Sequence, residues 1–256
     1  MNIHERILLS LSRMPESGDH PSGREVTVEN SLNLLSRVYP DLSRIVAGKR
    51  VIDYGCGPGY QSIALVKKHG CTVVGIDSNQ RTLERANANA RKHDISADRL
   101  SFAADVSPAM ANSFDVVISL NSFEHYGNPS AVLDAMRSLL VPSGIVLLTF
   151  GPPWLSPYGS HMHFFCKVPW LNIFFPEETV MKVRERYRPD GARSYEEVDS
   201  GLNRMTITKF EHIMSQCSLA TVARNYECVG GIGPLGKLPL LRELFINRVN
   251  TVLAKA

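Results

Sequence analysis

Apolar positions along the chain follow two rhythms. Between residues 26 and 46 they recur at Val28, Leu32, Leu35, Val38, Leu42 and Ile45, a helical spacing broken near Pro40. After Gly48, short apolar runs alternate with amphipathic stretches. Val51-Ile52-Asp53 ends in an acid and enters a glycine cluster, and residues 61–69 predict a helix closed by Gly70. Residues 71–76 form a second β-rich run ending at Asp77. Asn79 is placed to cap a helix reaching residue 93, with Leu83, Ala86 and Ala90 on one face. A third strand, 100–104, ends at Asp105, and a fourth spans 114–120. Residues 129–140 read as a helix, Pro142-Ser143-Gly144 as a turn, and 145–150 as a fifth strand.

Strands alternating with helices of this length imply βαβ units and a parallel sheet. Uninterrupted runs such as Val116-Val117-Ile118 suit strands covered on both faces. The fold class predicted is α/β, a doubly wound Rossmann-like core over about residues 48–150. The pattern lapses over 151–205, too long for an ordinary loop, which predicts a lid or substrate insertion. It resumes with a helix at 206–216 and strands at 219–229 and 249–253. Residues 1–24, turn-rich around Pro15, Gly18, Pro21 and Gly23, predict a loosely held arm. The expected organisation is an N-terminal arm with helices over 1–47 and one domain over 48–256 that carries the insertion.

Composition narrows the setting more than the activity. Hydrophobic residues make up 44% and charged residues 21%, ordinary globular usage. The 28 Lys and Arg against 25 Asp and Glu leave a net charge of +3, without the basic footprint of a nucleic-acid binder. Cys56, Cys71, Cys166, Cys217 and Cys228 are scattered, with no CxxC pair, so neither a disulfide framework nor a cysteine zinc site is expected. Ile7-Leu8-Leu9 is too short for a signal-peptide core or a membrane span. A cytoplasmic protein is the expectation.

In open α/β sheets, ligands bind outside the carboxyl ends of the strands. There the chain places Asp53-Tyr54-Gly55-Cys56-Gly57-Pro58-Gly59, Asp77, Asp105 and residues 120–125. Glycines let the backbone approach a ligand, and an acid after the second strand can accept from both ribose hydroxyls. A dinucleotide-binding turn shares those features. Asp53, two residues before the first glycine, would repel a pyrophosphate but suits a ligand bearing an ammonium group and a sulfonium.

The segment 51–59 resembles the first motif of class I S-adenosylmethionine-dependent methyltransferases. Asp77 and Asp105 match the family's ribose and adenine acids, residues 114–119 its fourth strand, and 139–144 the turn before its fifth. The resemblance, closest to the small-molecule, type 11-like branch, implies a seven-stranded sheet and S-adenosylmethionine as cofactor. It would put Gly55, Gly57 and Gly59 beneath the cofactor and Asp53 near its methionine end. Asp77 and Ser78 would meet the ribose, Asp105 and Val106 the adenine, and Asn121 the methionine side.

The acceptor leaves a fainter mark. Leu120-Asn121-Ser122-Phe123 lacks the Asn/Asp-Pro-Pro-aromatic signature of many nitrogen methyltransferases, and no Pro-Cys pair suggests cytosine chemistry. A small-molecule acceptor is expected, with oxygen preferred over nitrogen or carbon. Residues 151–175 concentrate Trp154, Tyr158, Phe164, Phe165, Trp170, Phe174 and Phe175. Trp154, Tyr158, Phe164 and Trp170 are the candidate walls of an apolar or aromatic acceptor site. A small core under the lid, a homo-oligomer contact and a membrane-surface contact are the alternatives. His125, His161 and His163 are the candidate proton acceptors. His161 and His163, if extended, would face one way, but no third ligand stands nearby and no metal is expected. Arg184, Arg186, Arg188 and Arg193 read as a solvated helix face or a grip for an anionic acceptor. Rival functions are a cofactor-binding regulator without catalysis and a protein or RNA methyltransferase.

Overall fold

The computed structural model describes residues 1–13, 26–198, 201–231, 236, 238–239 and 241–255. The turn residues Pro15, Gly18, Pro21 and Gly23, and Leu235, Lys237 and Leu240 of an apolar late stretch, lie outside the described residues.

Helix α1 (Ile3–Leu11) comes first, followed by α2 (Asn33–Val38) and α3 (Leu42–Val46), which meet at the break near Pro40. The alternating part runs β1 (Arg50–Tyr54), α4 (Tyr60–His69), β2 (Thr72–Ile76), α5 (Gln80–Lys92), β3 (Leu100–Ala103), β4 (Phe114–Leu120), α6 (Pro129–Leu139) and β5 (Leu140–Phe150). The insertion carries α7 (Leu171–Phe174) and α8 (Glu177–Arg184); then come α9 (Ile207–Gln216), β6 (Leu219–Cys228), α10 (Arg242–Phe245) and β7 (Ile246–Lys255). Local chemistry explains the boundaries. Asn79 accepts the Thr82 N–H at 3.2 Å to start α5, and Gly70, at φ +66°, closes α4.

One seven-stranded sheet has the order β3-β2-β1-β4-β5-β7-β6. β1 to β5 pair in parallel, while β7 runs antiparallel to both β5 and β6. The expected turn at Pro142-Ser143-Gly144 is absorbed into β5. Phe114 pairs with Leu140 but Val116 pairs with Ile145, so Pro142 and Ser143 bulge into solvent. Proline cannot donate to the ladder, and a bulge carries it without ending the strand.

Both sheet faces are covered. Leu32, Leu35, Leu42 and Val46 pack with Val51 and Ile63 on one face; Phe123, Phe150, Phe210 and Met136 cover the other. Each fully buried Leu or Ile contributes roughly 1.5–3 kcal/mol. Tyr39 ties α2 to the sheet by donating to the Leu148 carbonyl at 2.9 Å.

The insertion has a core of its own. Met162, Phe165, Leu171, Val180, Met181, Tyr195 and Leu202 pack together, and Leu8 of α1 is fully buried among them. The amino terminus therefore departs from the expected loose arm: Asn2 and Glu5 form a capping box, and α1 docks on α8. Ile173 and Phe174 of α7 stand exposed. Among the described residues, no helix is long and apolar enough to cross a membrane.

Candidate active site

The loop after β1 turns with left-handed backbone at Gly55, Gly57 and Gly59, at φ +79°, +53° and +79°. A Cβ on Gly55 would stand 2.4 Å from Ser122 Oγ, and one on Gly59 would stand 2.7 Å from the Phe102 ring. At Gly57 it would meet only open space. The outer glycines are thus close-packing positions, and the middle one faces outward over the strand ends. Asp77 reaches across from β2, accepting the Gly57 N–H and the Asn79 N–H, each at 2.9 Å.

Asp53 is buried beneath this loop. It accepts from Gln61 Nε2 at 2.7 Å and from Ser62 Oγ at 2.5 Å. Burial nevertheless pushes its carboxyl from 3.8 to about 6, and the charge of Asp77 adds to the rise. Ser78 and Asp105 are exposed, and Asp105 accepts the Val106 N–H at 2.7 Å. Val106 itself packs on the sheet core. Asn121, at φ +51°, ends β4 with its Oδ1 accepting from Arg248 Nη1 at 2.8 Å. The Asp77 carboxylate at the loop, the exposed carboxylate at Asp105 and the open face at Gly57 together fit S-adenosylmethionine.

Beyond β4 a single helical turn, Phe123–His125, holds two ionisable groups. Glu124 is buried and accepts the Gly151 N–H at 3.2 Å; burial raises its pKa. His125 is half-buried, and its Nδ1 lies 2.6 Å from the Gly201 carbonyl oxygen. A carbonyl only accepts, so Nδ1 carries a proton, and in the neutral ring the lone pair is on Nε2. The His161 ring packs edge-on to His125, with centroids 5.3 Å apart. Burial and the neighbouring His125 hold the pKa of His161 down to about 4. A narrow cleft at this point is lined by Glu124, Pro152, Trp154, His161, Leu202 and Arg204.

His161 has φ +56°, so the chain is not extended there and His163 leaves in another direction. His163 packs on Tyr158 instead, 5.1 Å between centroids, and burial lowers its pKa. Among the described residues no group of three or more His, Cys, Asp or Glu is arranged to hold a metal ion.

Nor do the four aromatic candidates converge. Trp154 lines the cleft, edge-on to Tyr195 at 4.7 Å. Tyr158 lies with His163, Phe164 packs on Phe165 beneath the Arg188 guanidinium, and Trp170 packs on Phe245. The arginines are not a uniform solvated face. Arg184 is buried and grips Asp190 through both terminal nitrogens, at 2.6 and 2.5 Å. Sequence reasoning passed over Gly201, Asn203, Arg204 and Arg248, which reach this region from far along the chain and carry no local motif.

Residues 45–151 match a family model described as a methyltransferase domain. The chain is 29% identical over 180 residues to the ubiquinone biosynthesis O-methyltransferase of Neisseria meningitidis serogroup C (strain 053442), covering 70% of this chain and 74% of that one. It is 33% identical over 154 residues to the protein of the same name from Cereibacter sphaeroides (strain ATCC 17029 / ATH 2.4.9), covering 54% and 59%. The structure of geranyl diphosphate C-methyltransferase from Streptomyces coelicolor A3(2), solved with S-adenosyl-L-homocysteine, superposes with a TM-score of 0.57. That match is 14% identical, covers 94% of this chain and 82% of that one, and speaks to the fold. With the sheet order and the glycine loop in place, residues 45–151 of this chain are similar to a methyltransferase domain, and the chain shares the fold of a solved methyltransferase.

Proposed function

We propose that this enzyme methylates an oxygen of a small apolar or aromatic acceptor, with His125 taking the acceptor's proton. The observation that carries the reading is the Nδ1 contact of His125 with the Gly201 carbonyl at 2.6 Å, since in the neutral ring that bond makes Nε2 the nitrogen able to accept a proton. Two relatives named O-methyltransferases support oxygen as the methylated atom.

In this reading Gly55, Gly57, Gly59 and Asp77 hold the cofactor's ribose side, Asp105 and Val106 its adenine, and Asn121 its methionine end, while Asp53, buried with its oxygens bonded to Gln61 and Ser62, supports the loop from beneath instead of holding the cofactor as the resemblance implies. S-Adenosylmethionine, when bound, supplies an electrophilic methyl group on a sulfonium sulfur. His125 Nε2 receives the hydroxyl proton as the oxygen becomes a nucleophile, and adjacent Glu124 offers negative charge to the resulting imidazolium. Trp154, beside this turn, would flank the acceptor, and alignment of the reacting groups is worth several orders of magnitude in displacement chemistry. The domain reading is residues 1–47 as helical packing elements and 48–256 as the catalytic domain, with 151–205 as its lid.

The test is incubation with methyl-labelled S-adenosylmethionine and three probes of one size: an alkylphenol, an alkylaniline and an alkylbenzoic acid. A methyl ether from the phenol is the expected product. Methylation of the aniline alone, or none of the probes, would contradict the reading.

A further inference from the structure

The segment that leaves the insertion, residues 201–205, runs beside both the cleft and the turn that carries His125. Leu202 and Arg204 line the cleft, while Gly201 and Asn203 bond to the turn. Asn203 does so three times. Its backbone N–H donates to the Glu124 carbonyl at 2.9 Å, and its Nδ2 donates to the Phe123 carbonyl at 2.8 Å and the Tyr126 carbonyl at 2.9 Å.

One carboxamide nitrogen therefore bridges the carbonyls on either side of His125, and the residue two places earlier fixes the imidazole itself. The turn is only one helical turn long. A turn so short has few internal hydrogen bonds, so its orientation depends on outside partners. Besides these contacts the turn is tied through Glu124, which accepts the Gly151 N–H at 3.2 Å, and the Phe123 carbonyl accepts the Tyr126 N–H at 3.4 Å.

We propose that Asn203 is a positioning residue for His125, acting from the lid strap to set the direction in which Nε2 points. The inference rests on the reading of His125 as the proton acceptor. An amide suits this position because it donates to both turn carbonyls: an aspartate at 203 would oppose them with lone pairs, and an alanine would remove the bridge, leaving Phe123 with only its 3.4 Å bond from the Tyr126 N–H. The same strap carries Leu202 and Arg204 in the narrow cleft beside the turn, so packing there and orientation of the base are set by one short segment.

Two readouts separate this role from a general loss of structure. In the first, protein labelled with 15N in its histidines reports the tautomer of His125. Wild type is expected to show a protonated Nδ1 and a bare Nε2, whereas Asn203→Ala and Asn203→Asp show tautomers averaged by ring motion. In the second, turnover on the alkylphenol probe is measured in a double-mutant cycle. Asn203→Ala should lower kcat by about 10- to 100-fold in the wild-type background, the scale for loosening an aligned catalytic group. In the His125→Ala background the same change should cost under about 3-fold, because coupled residues do not add. Affinity for S-adenosylhomocysteine should be unchanged in both. An unchanged tautomer, or equal losses in the two backgrounds, would overturn the role of Asn203 and leave His125 as the base. Full turnover in His125→Ala would overturn the reading of the base itself, and the inference with it.

Discussion

The glycine loop after β1 and the insertion after β5 solve the same packing problem in different ways. At Gly55 the loop is pressed against Ser122, at Gly59 against Phe102, and both residues also need positive φ. In the insertion, a Cβ on Gly159 would stand 2.2 Å from the Pro153 carbonyl oxygen and 2.3 Å from that of Trp154. The steric demand is as severe, but φ at Gly159 is ordinary and no motif surrounds it. Charge separates the two regions as well. Burial raises the pKa of Asp53 to about 6 beneath the loop and lowers that of His161 to about 4 in the insertion. Each region holds a group pushed toward its neutral form, one acidic and one basic.

The largest expected effect is on the loop side. Gly55→Ala should cost about 2–5 kcal/mol of stability, from strained backbone plus the clash with Ser122. Ser122→Gly in the same chain should recover part of it by removing the clash, which a thermal or urea melt would show.

The pH dependence of stability should set the two regions against each other. His161, with its folded pKa depressed from 6.5 to about 4, contributes stability that is full above 6.5 and lost as pH falls toward 4. Asp53, raised from 3.8 to about 6, works in the opposite sense, since its buried charge burdens the fold above 6 and is relieved as pH falls toward 3.8. His161→Gln should therefore remove up to about 3 kcal/mol of acid-side loss, and Asp53→Asn should steepen that loss. Urea titrations between about pH 4 and 7 would check the signs, and parallel slopes in the two variants would break the comparison.

Asp77→Ala should weaken S-adenosylhomocysteine binding by about 10- to 100-fold, the scale of a charged hydrogen-bond acceptor, as read by calorimetry. A smaller effect is expected in the insertion. Gly159→Ala should cost about 1–3 kcal/mol, confined to the lid core. Proteolysis would then attack 151–205 first, while cofactor affinity stays at the wild-type value.

The contrast also explains what could be read from the chain. β1 to β5 were legible because each carries an apolar run, and α5 and α6 because Asn79 and Asn128 cap them. The glycines and Asp77 lie close in sequence to the strands that place them. His125 could be named from its distance past β4, but nothing near it in the chain announced its partner Gly201, 76 residues away. The aromatic insertion left two readings open for a related reason. Phe165, Phe175 and Tyr195 show the same composition whether they wall a ligand site or fill a core, and here they form a core with Leu8 of α1. Helix α1 was hidden because its one fully buried residue meets a partner more than 150 residues on, a contact that no local periodicity encodes.

The central claim is that the base belongs to the turn held by the lid strap, while the cofactor belongs to the glycine loop. The most direct measurement is the single-turnover rate of methyl transfer to the alkylphenol in His125→Ala, at saturating cofactor. A fall of about 100-fold or more, with S-adenosylhomocysteine affinity within about 2-fold of wild type, is the predicted result. An unchanged rate would contradict it.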